Sequence, residues 1–174
     1  MMQFLNNDKH NPARTVALFG ILIALAMVFG YVERLIPLPV PIPGVRLGLA
    51  NLVTLTGLFF LSPVQVFVIL IARILLSGFL FGNLSAILYS LAGGILSFFV
   101  MLFVKQSKKT TGLGVSIAGG TAHNVGQFIV AALVLNTKAL IYYFAPLIIA
   151  GALCGTLLGV LCLALSKYLK GKMP

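Results

Sequence analysis

The sequence predicts an all-α integral membrane protein, a bundle of six transmembrane helices, and three observations carry that reading. Hydrophobic residues make up 60% of the 174-residue chain and charged residues 8%, far too apolar for a water-soluble domain of ordinary composition. The apolar residues fall in runs long enough, at about 20 residues per crossing, for six spans. The 12 Lys and Arg against 2 Asp and Glu give a formal net charge of +10. These basic residues flank the apolar runs instead of forming one stripe, so they speak for membrane orientation and against a nucleic-acid interface.

A polar tail, residues 1–14, precedes the first apolar run. That run is longer than a signal-peptide core and lacks a clear small-residue cleavage site, so it reads as a retained helix. The transmembrane domain covers residues 15–166. Its first span is Thr15 to about Ile36, stopped by "PLPVPIPG", whose four prolines favour an extended loop. A second span from about Val45 to Leu61 ends at "SP", where Pro63 suits the first turn of a third helix reaching about Leu80. Both are short for a bilayer. "FGN" turns the chain into a fourth span, Leu84 to Val104. The linker "KQSKKTTG" leads to a fifth, Leu113 to about Leu135, and "NTK" to a sixth, Ala139 to about Ser166. A basic tail, residues 167–174, closes the chain.

Six spans put both termini on one side. That side collects Lys9, Arg14, Lys105, Lys108, Lys109, Lys167, Lys170 and Lys172, against Arg34, Arg46 and Lys138 opposite. The positive-inside rule then places both termini in the cytoplasm of a multi-pass cell-membrane protein. Tyr31, Tyr142, Tyr143 and Tyr168 fall near span ends, where an amphipathic ring prefers to lie. Cys154 and Cys162 lie eight apart in one run, roughly 12 Å along a helix axis and too far for a disulfide, so they read as packing residues. Ala17, Gly20 and Ala24 make a smooth strip on the first helix that could face another helix of this chain or of a partner.

Polar residues inside the spans need an interior reason, because an ionisable group at the bilayer centre costs at least about 2.5 kcal/mol. Arg73 lies mid-span in "QVFVILIARILLSGF", too deep to snorkel. Either it ties helices together through amides and carbonyls, or it meets a ligand. The acid available to it, Glu33, sits beside Arg34 and is expected to be neutralised there. In the fifth helix His123 and Gln127 are four apart and Asn124 and Gln127 three apart, so they share an arc. Interhelical hydrogen bonding is the plain reading of these amides. Without a second buried His, a Cys or an Asp beside it, His123 has no metal-ligand set, and no cofactor is implied. Arg46 near the outer edge has a similarly plain reading as a snorkelling residue, with Asn51 about one and a half turns deeper. Taken together, Arg46, Asn51, Arg73, His123, Asn124 and Gln127 fit a positively charged, outward-opening pocket for an anionic small-molecule ligand.

"VRLGLANLVTL", the arginine of "LIARILLSGFLFG", "LAGGILS" and "AHNVGQ" resemble the Gx transporter family, also labelled heptaprenyl diphosphate synthase component I. The likeness runs from about Thr15 to the C-terminus, and "AHNVGQ" is its most specific part. The layout is also similar to the substrate-binding S components of energy-coupling factor transporters. That resemblance implies a ligand pocket near the outer face, and a small-residue strip on helix one that docks a transmembrane coupling subunit working with ATPases. The synthase label implies something else. Soluble all-helical prenyl diphosphate synthases hold magnesium with two aspartate-rich motifs, and a chain whose acids are Asp8 and Glu33 cannot build such a cage. A nucleotide-binding loop of the form G-x-x-x-x-G-K-[ST] is also missing. The sequence therefore supports no catalytic residue. The expected function is a membrane substrate-binding subunit of a small-molecule transporter, for an anionic vitamin-like or isoprenoid-related compound. The leading alternative is a noncatalytic membrane subunit associated with heptaprenyl diphosphate synthesis, and a third reading is a purely structural membrane partner whose polar residues only glue helices. Its expected partners are the ligand, the coupling subunit and membrane lipids.

Overall fold

A computed structural model describes residues 12–35, 48–107, 110–135 and 140–171. Over these residues the chain is all-α, in six helices: α1 (Pro12–Leu35), α2 (Leu49–Phe60), α3 (Pro63–Phe81), α4 (Leu84–Gln106), α5 (Gly112–Leu135) and α6 (Ile141–Gly171). Five are long and apolar enough to cross a bilayer, and α2 is a shorter apolar helix. At 12 residues it is about 18 Å long, well under a hydrocarbon core of about 30 Å. The proline-rich segment expected to stop the first helix lies outside the described residues, as does Arg46.

Local chemistry sets most boundaries. At the "SP" turn Ser62 caps α3: its Oγ accepts from Gln65 N at 3.4 Å while Gln65 Oε1 accepts from Ser62 N at 3.0 Å. This reciprocal pair, with Pro63 supplying a preset φ, starts the helix where the sequence places it. Asn83 does the same for α4, its Oδ1 accepting from Ala86 N at 2.8 Å. The sixth helix runs on to Gly171, beyond the expected Ser166, so Lys167 and Lys170 extend it as helix.

Helix α5 packs most extensively, between α4 and α6, while α1 rests on α2 and α3. The apolar core joins α2 through α6 around Leu55, Leu70, Phe98, Met101 and Val115. Outward, the pattern is inverted from that of a soluble protein. Phe79, Phe103 and Leu133 are each more than three-quarters exposed, whereas Glu33, Arg73, His123, Asn124 and Gln127 are buried. Large apolar residues outside and polar ones inside is what a lipid solvent selects. Cys162 is buried and accepts from Thr56 Oγ1 at 3.7 Å, and both cysteines are free thiols, in keeping with the packing role expected of them.

Candidate functional site

The side chain of Arg34, the neighbour expected to neutralise Glu33, lies outside the described residues. The Glu33 carboxylate reaches the start of α2. Its Oε1 accepts from Gly48 N at 2.8 Å and its Oε2 from Leu49 N at 3.0 Å. Gly48 holds φ 75°, a left-handed backbone that glycine adopts without strain. Two donors that an isolated helix would leave orphaned are satisfied by a charge from another helix, at the positive end of the α2 dipole. The opposite end of α2 is treated in the complementary way. Lys105 of α4 donates to the Leu58 carbonyl and lies 5.5 Å from the centre of the Phe59 ring. Sequence reading assigned Lys105 only to a cytoplasmic loop and missed this role. It missed the Glu33 cap too, although Glu33 was the conspicuous acid in an apolar run.

Next to the Glu33 cap lies a cavity of about 50 Å³. Glu33 of α1, Asn51 of α2, Arg73 of α3 and His123 of α5 line it, with Ser77 and Ser90. Arg73 Nη2 donates to Asn51 Oδ1 at 2.7 Å. This bond orients the guanidinium. His123 enters from the far side over Gly93 of α4, where a Cβ would lie 2.9 Å from the ring Nδ1 and 2.8 Å from the His123 carbonyl. Glycine at 93 is what lets the imidazole fit. Gln127, one turn along α5, has its Nε2 3.1 Å from His123 Nε2, the four-residue pairing the sequence predicts.

Of the expected ligand residues, Asn51, Arg73 and His123 therefore converge on one cavity. Gln127 stands behind His123 and is not in its lining. Asn124 turns to a different neighbour: it is buried and its Nδ2 donates to the Leu147 carbonyl of α6 at 2.8 Å. The expected positive lining is also modified, because a carboxylate belongs to it. A cavity of about 50 Å³ admits several waters or one small polar group, at roughly 10–15 Å³ per water, and is far from the several hundred Å³ of a drug-sized pocket. Ala17, Gly20 and Ala24 are exposed, and a Cβ on Gly20 would meet nothing within 4 Å.

The placement of Asn124 has a measurable result. Asn124→Ala should lower the stability of the ligand-free protein by about 1 kcal/mol, a Tm decrease of roughly 2–4 °C for a chain this long, with retention of any bound small molecule unchanged. A variant of unaltered Tm that loses its ligand would move Asn124 back into the binding set.

A family model described as heptaprenyl diphosphate synthase component I matches residues 22–165. No curated protein and no solved structure matches the chain.

Proposed function

The chain belongs to the heptaprenyl diphosphate synthase component I family, and from that premise we propose that it is a noncatalytic membrane subunit that captures a small anionic molecule. Its action would resemble that of the S components of energy-coupling factor transporters. The observation that carries this reading is the convergence of Asn51, Arg73 and His123, from three helices, on one cavity within the bundle. Helix tying by these groups does not of itself require a space that all three line. The cavity accommodates a carboxylate or phosphate group, with Arg73 supplying charge and Asn51 holding the guanidinium in place. The rest of the ligand lies beyond this lining.

A second reading is favoured by the family's description, which names one component of a synthase. In it the chain is a noncatalytic membrane partner in prenyl diphosphate synthesis, and the anionic group is an isoprenoid phosphate. Catalysis by this chain has no support in its chemistry. One of its two acids, Glu33, is committed to the start of α2, and the other is Asp8 in the tail.

The deciding experiment is mass spectrometry of small molecules released by denaturing the purified protein, beside an Asn51→Leu variant whose Tm is also measured. The expected result is an anionic compound near one per chain, reduced at least about tenfold in the variant, since a contact to a charged group is worth roughly 1.5–3 kcal/mol. An isoprenoid phosphate among the released compounds selects the second reading. A protein that releases only bulk lipid refutes capture.

The proposed membrane coupling subunit would dock on the strip of Ala17, Gly20 and Ala24, with both termini cytoplasmic and ATP hydrolysis supplied by other polypeptides. Because a Cβ at Gly20 would meet none of the described residues within 4 Å, Gly20→Leu should not lower Tm while reducing copurification of such a subunit several-fold, as filling a small-residue interface does. Undiminished copurification would remove the strip from the interface.

A further inference from the structure

Asn124 and Gln127 are both buried on α5, yet they use their amides differently. Asn124 ties α5 to the Leu147 carbonyl of α6. Gln127 bonds back to His123 of its own helix, and its Oε1 is buried with no hydrogen-bond partner among the described residues. A buried carbonyl without a donor is destabilising, and this one joins no second helix in compensation. Helix glue therefore accounts for Asn124 and leaves Gln127 unexplained.

The two atoms that meet show what the bond does. Gln127 Nε2 lies 3.1 Å from His123 Nε2, and of two bonded nitrogens one must donate and the other accept. An amide nitrogen only donates, so the imidazole Nε2 accepts and carries no proton. The proton of His123 is then on Nδ1 and the ring is neutral, because an imidazolium donates from both nitrogens. A half-turn of the ring would put Cε1 opposite the amide and lose the bond, so Gln127 fixes ring orientation and tautomer together. Turning the amide over instead would demand the other tautomer and bury two amide hydrogens where Oε1 now finds no donor, and orphaned N–H groups are rarer in proteins than orphaned carbonyls.

Nδ1 lies on the α4 side of the ring, 2.9 Å from where a Cβ on Gly93 would be. Ser90, three residues before Gly93 on that helix, lines the polar cavity with His123 and Arg73. A proton on Nδ1 adds a neutral donor to the guanidinium donors of Arg73. An ionised carboxylate or phosphate, which only accepts, suits such a set, whereas a carboxamide brings hydrogens of its own.

We propose that Gln127 is a positioning residue for recognition in this cavity: it holds His123 as the neutral Nδ1–H tautomer, so that the imidazole donates to the captured acid beside Arg73 and the cavity selects an ionised acid over its amide. The donor role rests on the capture reading above, but the tautomer is a property of the ligand-free protein and is tested without it.

His10 and His123 are the histidines of the chain, so His10→Gln leaves one imidazole. Selective isotope labelling of its nitrogens in this full-length chain, reconstituted in nanodiscs, lets NMR show which ring nitrogen carries the proton. The expected result is a protonated Nδ1 and a bare Nε2. Acetate and inorganic phosphate, as probes of the anionic group, should shift the Nδ1 signal, and acetamide should require a concentration at least about tenfold higher than acetate, the difference made by a hydrogen bond to a charged group. Gln127→Leu should give a mixture of tautomers and weaken acetate by the factor to which the Nδ1–H population falls. Gln127→Glu, which puts an acceptor at that position, should move the proton to Nε2. A protonated Nε2 in the chain with Gln127 intact overturns the proposal and leaves capture by Arg73 and Asn51 standing. So does a tautomer that both Gln127 variants leave unchanged, whatever their Tm. An Nδ1–H tautomer that responds to neither acetate nor phosphate refutes capture in this cavity and the donor role with it, and acetamide acting as strongly as acetate removes the selectivity.

Discussion

Gly155→Ala should destabilise the protein by about 3 kcal/mol or more, although it adds a single methyl group. A Cβ at 155 would lie 2.7 Å from the Ser116 carbonyl oxygen and 2.8 Å from the Ile117 Cα. Both are backbone atoms of α5 and cannot step aside, so α5 and α6 must separate. The same crossing is tight one turn earlier, where a Cβ on Gly151 would lie 2.8 Å from the Gly120 carbonyl oxygen. Separation would stretch the bonds from Ser116 Oγ to the Gly155 carbonyl, now 2.6 Å, and from Asn124 to Leu147. Overpacking costs roughly 1–3 kcal/mol and each buried hydrogen bond about 1. The Tm should fall by roughly 6–12 °C, and Gly20→Ala, which adds the same methyl to open space, should leave it unchanged. If the two variants melt together, the crossing is looser than its distances indicate.

The second large effect belongs to Glu33→Ala. Two charge-assisted hydrogen bonds to Gly48 and Leu49 are lost at once, at roughly 1.5–3 kcal/mol each, and a buried helix start is left with unsatisfied donors. Glu33→Gln keeps one carbonyl acceptor and should fall about halfway between Glu33→Ala and wild type. The ordering of the three melting temperatures is the check. If Glu33 served instead to neutralise Arg34, Arg34→Ala would be as damaging as Glu33→Ala, and the cap would not be the reason for the loss.

These two cases also show what the sequence could and could not reveal. Hydropathy found every helix, because a bilayer imposes a minimum length and polarity on a span, and the starts of α3 and α4 were legible because Ser62, Pro63 and Asn83 act within three residues of themselves. The second span was legible as short, but what sets the ends of α2 was not. Its start depends on Glu33, 15 residues away in sequence, and its end is held by Lys105, 47 residues from Leu58. The candidate site was legible in part. Arg73 and Asn51 stood out because polar groups are expensive in lipid, yet nothing local says which buried amide faces a cavity and which faces a neighbouring helix. Asn124 and Gln127 share an arc of α5, but α6 covers one and His123 engages the other. The glycines at 151 and 155, weak as a sequence signal, acquire their meaning only from the carbonyls opposite them.

The Glu33 cap has a mechanical consequence. It fastens α1 at one end, where Gly30 also meets Ala50 and Tyr31 stacks on Phe81 at 5.4 Å, while around Gly20 the helix flanks open space. Helix α1 is thus held like a cantilever, anchored near Glu33 and again at the buried Ala26, with its arm running toward Pro12. From Glu33 to Pro12 that arm is about 30 Å long, so a rotation of roughly 10° about Glu33 sweeps its tip by about 5 Å. Because Glu33 is also a wall of the polar cavity, a small shift of the carboxylate there is geometrically multiplied at the strip of Ala17, Gly20 and Ala24.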